Sequence, residues 1–360
     1  MAVTVRASRL WSSQSGREAL VYGTYEPTTA TAGIITPEAS LTAYNADVNA
    51  VTIPDGAVIS GKVIYGDVTF AGSATITDCL LVGGANAIAS GNVGVLKCTN
   101  ARTGQAVLTD CTIRPRTESD GRDGALGWQF ELYRCHITGG VDGVGIYNTG
   151  GPNANVKVKG CLIEDLAYTY PDRDHADGCH NDCIQIQGGK YIEIVGNALK
   201  GTAHYMAGSG QYFPTHASTD LGDWPLQMPT ARNPGAGIII NANVTAVDST
   251  VTIDSNYFRF CKSQLLVKSL ADGFVCTGNR FSAVDTPAKN VNGTVRSGTA
   301  LTFTANEYWV RFDTLSGSGS VSGLTSGDAW ANTTNVWLDG PSAGQPLASP
   351  RASGIHSDAA

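Results

Sequence analysis

The chain is 360 residues long, with 43 glycines, 15% charged residues and a formal net charge of −7. No Lys/Arg run is present, which argues against a nucleic-acid partner because phosphate binding needs concentrated positive charge, and no apolar stretch reaches the roughly 18 residues of a membrane span. Abundant Val, Ile, Thr, Asn and Gly favour buried strands and turns over helices.

Residues 1–50 carry no repeat. The first twenty, MAVTVRASRLWSSQSGREAL, lack the apolar run of a secretory signal. A stacked-coil protein needs an atypical end, because an open first coil exposes unpaired strand edges. This segment is therefore expected to be a cap, an attachment piece, or both.

From residue 51 to about residue 312 the chain repeats itself. Segments of apolar-polar-apolar alternation lead into Cys79, Cys111, Cys135, Cys161, Asn197, Asn256, Asn279 and Asn306, at spacings of 32, 24, 26, 36, 59, 23 and 27 residues. A strand-built repeat with a minimum period in the low twenties predicts one turn of a parallel β-helix, each coil burying its inward face against the coils above and below. Cys is a small, readily buried hydrophobe and Asn bonds backbone at turns and tolerates left-handed angles, so either suits an inside corner. Nine cysteines are an odd number, and side-chain vectors along such a ladder run parallel, so free buried thiols are expected. Cys179 and Cys183 have a C-x3-C spacing, but a second matching pair, as zinc would need, is missing. Residues 313–360 form a Gly/Ser-rich segment of linker composition.

The strands after the corners are expected to line one long face. They read DGALGWQ from Asp123, DGVGIYN from Asp142 and NDCIQIQ around Asp182. Period-2 alternation turns Ala125, Val144 and Ile184 inward, and sets Leu126, Gly145 and Gln185, then Trp128, Tyr147 and Gln187, outward. Trp128 above Tyr147 above Gln187 makes a strip on which sugars stack, or an aromatic ladder that only stabilises the sheet. Asp123, Asp142 and Asp182 fall about one strand spacing apart. Stacked carboxylates need a cation or a shared proton, and paired carboxylates also serve glycoside hydrolysis. Asp-Gly is equally ordinary turn chemistry.

Two consecutive coils carry long insertions, LAYTYPDRDHADGCHN and a run of about 35 residues before GAGIIIN. Long loops on a rigid scaffold are commonly functional, and these two should stand side by side as the wall of a groove. His180 and Asp182, two residues apart, are candidates for acid–base work. Asp172, Asp174 and Asp177 are candidate hard-oxygen ligands for calcium. The second loop holds His204, His216, Trp224 and Arg232, and Trp224, Arg232, Gln185 and Gln187 join Trp128 and Tyr147 as candidate substrate-binding residues.

The corner Cys/Asn, the Asp-Gly strands and HNDCIQIQGGKYIEIVGN resemble the right-handed parallel β-helix proteins of the pectate-lyase-like superfamily. Within it the pattern is most similar to bacteriophage minor tail proteins and tailspikes. The resemblance covers about residues 50–310 and implies an all-β, right-handed parallel β-helix, with the N-terminal segment as cap or attachment and an irregular C-terminal segment. The Asn-Thr-Asp, Asp-Asp, Gly-His-Gly and Arg-Ile-Lys set of polygalacturonase-type hydrolases is absent. Pectate-lyase-like enzymes use calcium and a basic side chain, for which Arg232, Lys190 and Lys268 are counterparts by position alone. The resemblance, together with the missing export signal, implies a virion protein of the phage tail. Such a protein would contact host cell-envelope polysaccharide, with or without degrading it, alongside other tail proteins and as a homotrimer. The alternative is a secreted, extracellular polysaccharide lyase or glycoside hydrolase.

Overall fold

Each repeat closes on itself because one residue at one corner takes the left-handed conformation. That residue is Asp78, Asp110, Arg134, Gly160, Gly196, Ser255 or Gly278, with φ between 50° and 65°. The next residue is the recurring Cys or Asn, fully buried from Cys79 to Asn279. A single left-handed residue turns the strand sharply, and the small side chain after it points into the coil. In the computed structural model these corners stack into a parallel β-helix, as the periodicity predicts, and it is right-handed, as the resemblance implies. The structure describes Tyr22 and residues 25–99, 104–147, 155–170, 172, 179–206, 235–241, 251–259, 261, 263–267, 274–282, 291–293, 301–304, 307–309, 321–322 and 336–337.

Three parallel sheets result, with eleven, ten and nine strands among the described residues. They are termed sheets I, II and III. One coil runs through Phe130–Tyr133 in sheet III, the Cys135 corner, His136–Ile137 in sheet I, Val144–Ile146 in sheet II, and back to Val156–Lys159 in sheet III. Alternation decides what is buried. In sheet III, Ile76, Leu108, Leu132, Val158, Ile194 and Ile253 are fully buried, whereas Glu131, Lys157 and Glu193 stand in register outside. Each fully buried Ile or Leu contributes about 1.5–3 kcal/mol. Val321–Ser322 and Val336–Trp337 continue sheets II and I.

The corner ladder changes chemistry along its length. Cys111, Cys135 and Cys161 thiols approach carbonyls of the preceding coil at 3.5–3.7 Å. Asn197, Asn256 and Asn279 instead accept the backbone N–H of Cys161, Asn197 and Asn256 at 2.8–2.9 Å, and donate to Val158, Ile194 and Ile253 carbonyls at 2.8–2.9 Å. An amide satisfies both neighbouring coils; a thiol satisfies them weakly. All nine cysteines are buried thiols outside any disulfide, and burial pushes the Cys79, Cys111 and Cys161 thiols above their ordinary value.

Residues 25–47 run as a strap along the outside of sheet I. Glu26 pairs with Arg259 at 2.8 Å, Gly33 N–H bonds the Arg134 carbonyl at 2.8 Å, and Ile34 N–H bonds Thr112 Oγ1 at 3.1 Å. The Asp78 carboxylate accepts from Ile35 N–H, Thr36 N–H and the Thr36 hydroxyl at 2.6–3.0 Å. Glu38 and Asp47 pair with Arg114 and Arg116. Under the strap the outward column of sheet I is apolar and buried at Leu80, Leu162, Ala198 and Tyr257, with Ala32 packed against Leu162 and Ala198. The strap ends by joining the first coil, where Thr42–Ala43 pairs with Lys62 and Val63.

Two buried ion pairs tie coils together. Arg134 meets Asp110 through two 2.9 Å bonds. Arg122, 1% exposed, meets Asp67 at 2.9 Å and the carbonyls of Gly84 and Asn86 at 2.6 Å.

Candidate functional site

Sheet II carries the three aspartates at one register position. Ala125 pairs with Val144 and Val144 with Ile184, so Asp123, Asp142 and Asp182, each two residues earlier, are vertical neighbours. Their side chains are buried, at 1%, 5% and 4% exposure. Each carboxylate caps the next coil: Asp123 Oδ1 accepts Asp142 N–H at 3.3 Å, Asp142 Oδ1 accepts Asp182 N–H at 2.8 Å, and Asp182 Oδ1 accepts Ala236 N–H at 2.5 Å. Burial first, then the charges of Asp123 and Asp182, hold the Asp142 carboxyl well above the usual carboxylate range.

The glycines after two of these aspartates answer to packing rather than to a turn. A Cβ on Gly124 would lie 2.4 Å from Ile137 Cγ2 and 2.6 Å from the Gly143 carbonyl oxygen; on Gly143, 2.4 Å from Ile163 Cγ2 and 2.5 Å from the Cys183 oxygen. Neither glycine has positive φ. The chain passes too close to the neighbouring coil and to sheet I for any side chain.

The outward column is in the register expected: Leu126, Gly145 and Gln185 are paired neighbours. Tyr147 N–H bonds the Gly127 carbonyl and Gln187 N–H that of Ile146, so the second column also stacks. Trp128, however, is not on the outward face. It is 3% exposed and belongs to the core, meeting Tyr147 edge-on with ring centroids 6.0 Å apart. Gly127 is the reason. At φ 121° its backbone breaks the alternation, and its α-carbon lies so near Cys98 that a Cβ would sit 2.0 Å from the Cys98 carbonyl oxygen.

Tyr147, Gln185 and Gln187 are half-buried. Gln187 Nε2 donates to Gln185 Oε1 at 2.5 Å, and Gln185 Nε2 to Asp182 Oδ2 at 3.4 Å, forming an amide chain that starts at the aspartate ladder and ends at the surface. Burial and then the charge of Asp123 raise the Tyr147 hydroxyl. His180 is exposed whereas Asp182 is buried, so the two side chains lie in different environments although only two residues separate them. Between them Asn181 is fully buried and donates to the Val141 and Ala167 carbonyls at 2.9 and 2.7 Å. Cys179 and Cys183 go to different surroundings: Cys179 takes the Thr169 N–H at 3.1 Å and is pushed up to about 12, chiefly by burial, whereas Cys183 lies beside Cys261.

The two inserted loops begin side by side. Leu166–Tyr168 and Ala203–Tyr205 form a separate two-stranded parallel sheet, anchored to the solenoid where Ala167 N–H bonds the Gly140 carbonyl. At its base His204 is clamped by two carboxylates, Nδ1 to Asp165 at 2.9 Å and Nε2 to Glu118 at 2.7 Å. Those two hydrogen bonds raise it to about 10, making it an imidazolium at neutral pH. The Glu118 and Asp165 partners come from different coils and share no motif, so the sequence carried no signal for this clamp.

Asp172 is described and half-buried, and its charge raises both Asp142 and Cys179. Asp174, Asp177, Trp224, Arg232 and Lys268 lie outside the described residues. Among the described residues no group of three or more His, Cys, Asp or Glu side chains is arranged to hold a metal ion, and no helix is long and apolar enough to cross a membrane. Comparison with family models, curated proteins and solved structures found no match.

Proposed function

We propose that this chain is a tail-associated adhesive β-helix of a bacteriophage, contacting host cell-envelope polysaccharide along sheet II without turning it over. The observation that carries the adhesive half is the amide chain Asp182–Gln185–Gln187 beside Tyr147. A surface of paired amides and an aromatic ring matches the hydroxyls and apolar faces of sugars. The aspartates that hydrolysis would need have an oxygen each committed to the backbone N–H of the next coil. Two carboxylates free to approach a glycosidic bond from opposite sides are what that chemistry requires. The phage tail half rests on the resemblance of the whole-chain pattern to tail proteins, the corner repeat and HNDCIQIQ being features of the wider superfamily; a fold of this kind hosts many functions.

The reading is tested by exposing the full chain to purified bacterial envelope polysaccharides, measuring binding together with reducing ends and unsaturated uronate products. Saturable binding with no products supports it. Product formation that survives repurification and is lost in Asp182→Asn would move the assignment to a polysaccharide lyase or glycoside hydrolase of the same fold. Binding to none of a broad panel would remove the carbohydrate reading.

A further inference from the structure

The first coil ends the solenoid with three strand edges at once. Thr42–Ala43, Ala50–Ile53 and Ala57–Ser60 are the terminal strands of sheets I, II and III. Main-chain bonds to the second coil come from one alternate set: Gly61 N–H to Thr77 O, and the Asn49 and Ile53 carbonyls to Asp67 and Ala71 N–H. The other set, at Ala50, Thr52, Val58 and Ser60, is directed away from the solenoid. At this level Ile53 and Ile59 are buried, whereas Val51 and Ala57 are only partly buried. Three of the four large apolar residues exposed among the described residues, Tyr44, Val48 and Val58, lie in this same coil, Val58 at 80%.

Natural edges are usually protected by charged side chains. These three strands hold no ionisable residue at all. The nearby acids point elsewhere: Asp55 accepts Ser73 N–H of the second coil at 2.7 Å, and Asp47 pairs with Arg116. Among the described residues the strap does not cover the end either, since it runs along sheet I toward Arg259.

We propose that the first coil is a self-association surface on which a second copy of this chain docks end to end. Three edges in a triangle are matched by another solenoid end, not by a single added strand. A two-fold axis across sheet II sets Ala50–Ile53 antiparallel to itself and brings Thr42–Ala43 of one copy to Ala57–Ser60 of the other. Such an isologous contact sets the same patch of both copies face to face, so one uncharged edge meets another and no buried charge is left unpaired. The footprint is one solenoid cross-section, which is small against a standard interface, so the dimer dissociates on dilution. The proposal does not depend on the carbohydrate reading.

Sedimentation velocity of the full chain over a micromolar concentration series tests it. The expected result is a monomer–dimer equilibrium that Thr52→Lys and Val58→Lys each weaken by at least about tenfold, through charge buried in an apolar contact, with unchanged thermal midpoints. Tyr191→Lys, at an exposed position in mid-solenoid, should leave the dimer intact. A monomer at every concentration, open-ended fibres, or an association indifferent to Thr52→Lys and Val58→Lys would overturn it.

Discussion

Asp142 and Asp182 lie 40 residues apart in the chain and one coil apart in space, the carboxylate of the first accepting the backbone N–H of the second at 2.8 Å. The bond exists only if coils of unequal length return to the same register, so it ties the fold and the candidate site to one geometry. The bond itself favours the ionised carboxylate, but burial and the charges of Asp123 and Asp182 outweigh it and hold Asp142 well above the usual carboxylate range. A raised carboxylate pKa means that the folded chain keeps a proton which the unfolded chain releases, so the associated stability is present in acid and is lost as pH rises from the unfolded carboxylate range through the raised folded value. Asp142→Asn keeps an acceptor and cannot ionise. We expect it to raise Tm at neutral pH by about 2–4 °C, with the difference closing on acidification. A lower Tm at neutral pH would contradict a protonated ladder.

Gly124 and Gly143 test the close approach of coils behind those aspartates. Gly124→Ala and Gly143→Ala place a methyl against a neighbouring carbonyl oxygen and an isoleucine of sheet I. Overpacking of this kind costs about 1–3 kcal/mol, read as a shift in the denaturant midpoint. If the glycines served only a turn, alanine at their negative-φ positions would be nearly neutral.

His204 is expected to stay charged across the neutral range. Raised to about 10 by Asp165 and Glu118, it contributes stability that is complete below the unfolded histidine value of about 6.5 and lost as pH rises through the folded value. Its imidazole resonances should show no titration near pH 6–7, and Glu118→Gln should lower the midpoint. A wild-type midpoint near the unfolded value would dissolve the clamp.

The strap is held largely by polar bonds to successive coils, and Asp78 provides three of them. Asp78→Ala should accelerate hydrogen exchange at Ile35 and Thr36 by at least about tenfold, since lost bonds to a charged acceptor are worth roughly 1.5–3 kcal/mol, while sheet III amides around Ile194 stay protected. Uniform acceleration through the solenoid would show that the strap is part of one cooperative unit instead.

What the sequence made legible was what repeats. The corner Cys and Asn from Cys79 to Asn279 mark their coils because each fills the same inside position, the first coil has Lys62 there instead, Asn306 lies outside the described residues, and the strand alternation placed Gly145 beside Gln185 without further information. The orientation of Trp128 was hidden because it depends on the left-handed backbone of Gly127, a conformation set by contact with Cys98 in another coil. Arg122–Asp67 was hidden because it joins single residues at positions that do not repeat, whereas Arg134–Asp110 stands at the repeated corner of consecutive coils, one period apart, and only the residue types at that step make it an ion pair. The strap follows no repeat either, and its register on sheet I is fixed by individual bonds such as Glu26 to Arg259.

Sheet II is proposed to bind glycan through the half-buried amides of Gln185 and Gln187 while its aspartates hold the backbone. Calorimetric titration with the envelope polysaccharide that binds best, run on wild type, Gln185→Ala/Gln187→Ala and Asp182→Asn, tests it most directly. The account predicts that the double glutamine variant weakens binding by about 2 kcal/mol or more, as expected for two lost side-chain contacts, that Asp182→Asn binds within about twofold of wild type, and that no chain yields cleavage products. Full binding by the glutamine variant, or products from wild type that vanish in Asp182→Asn, would contradict it.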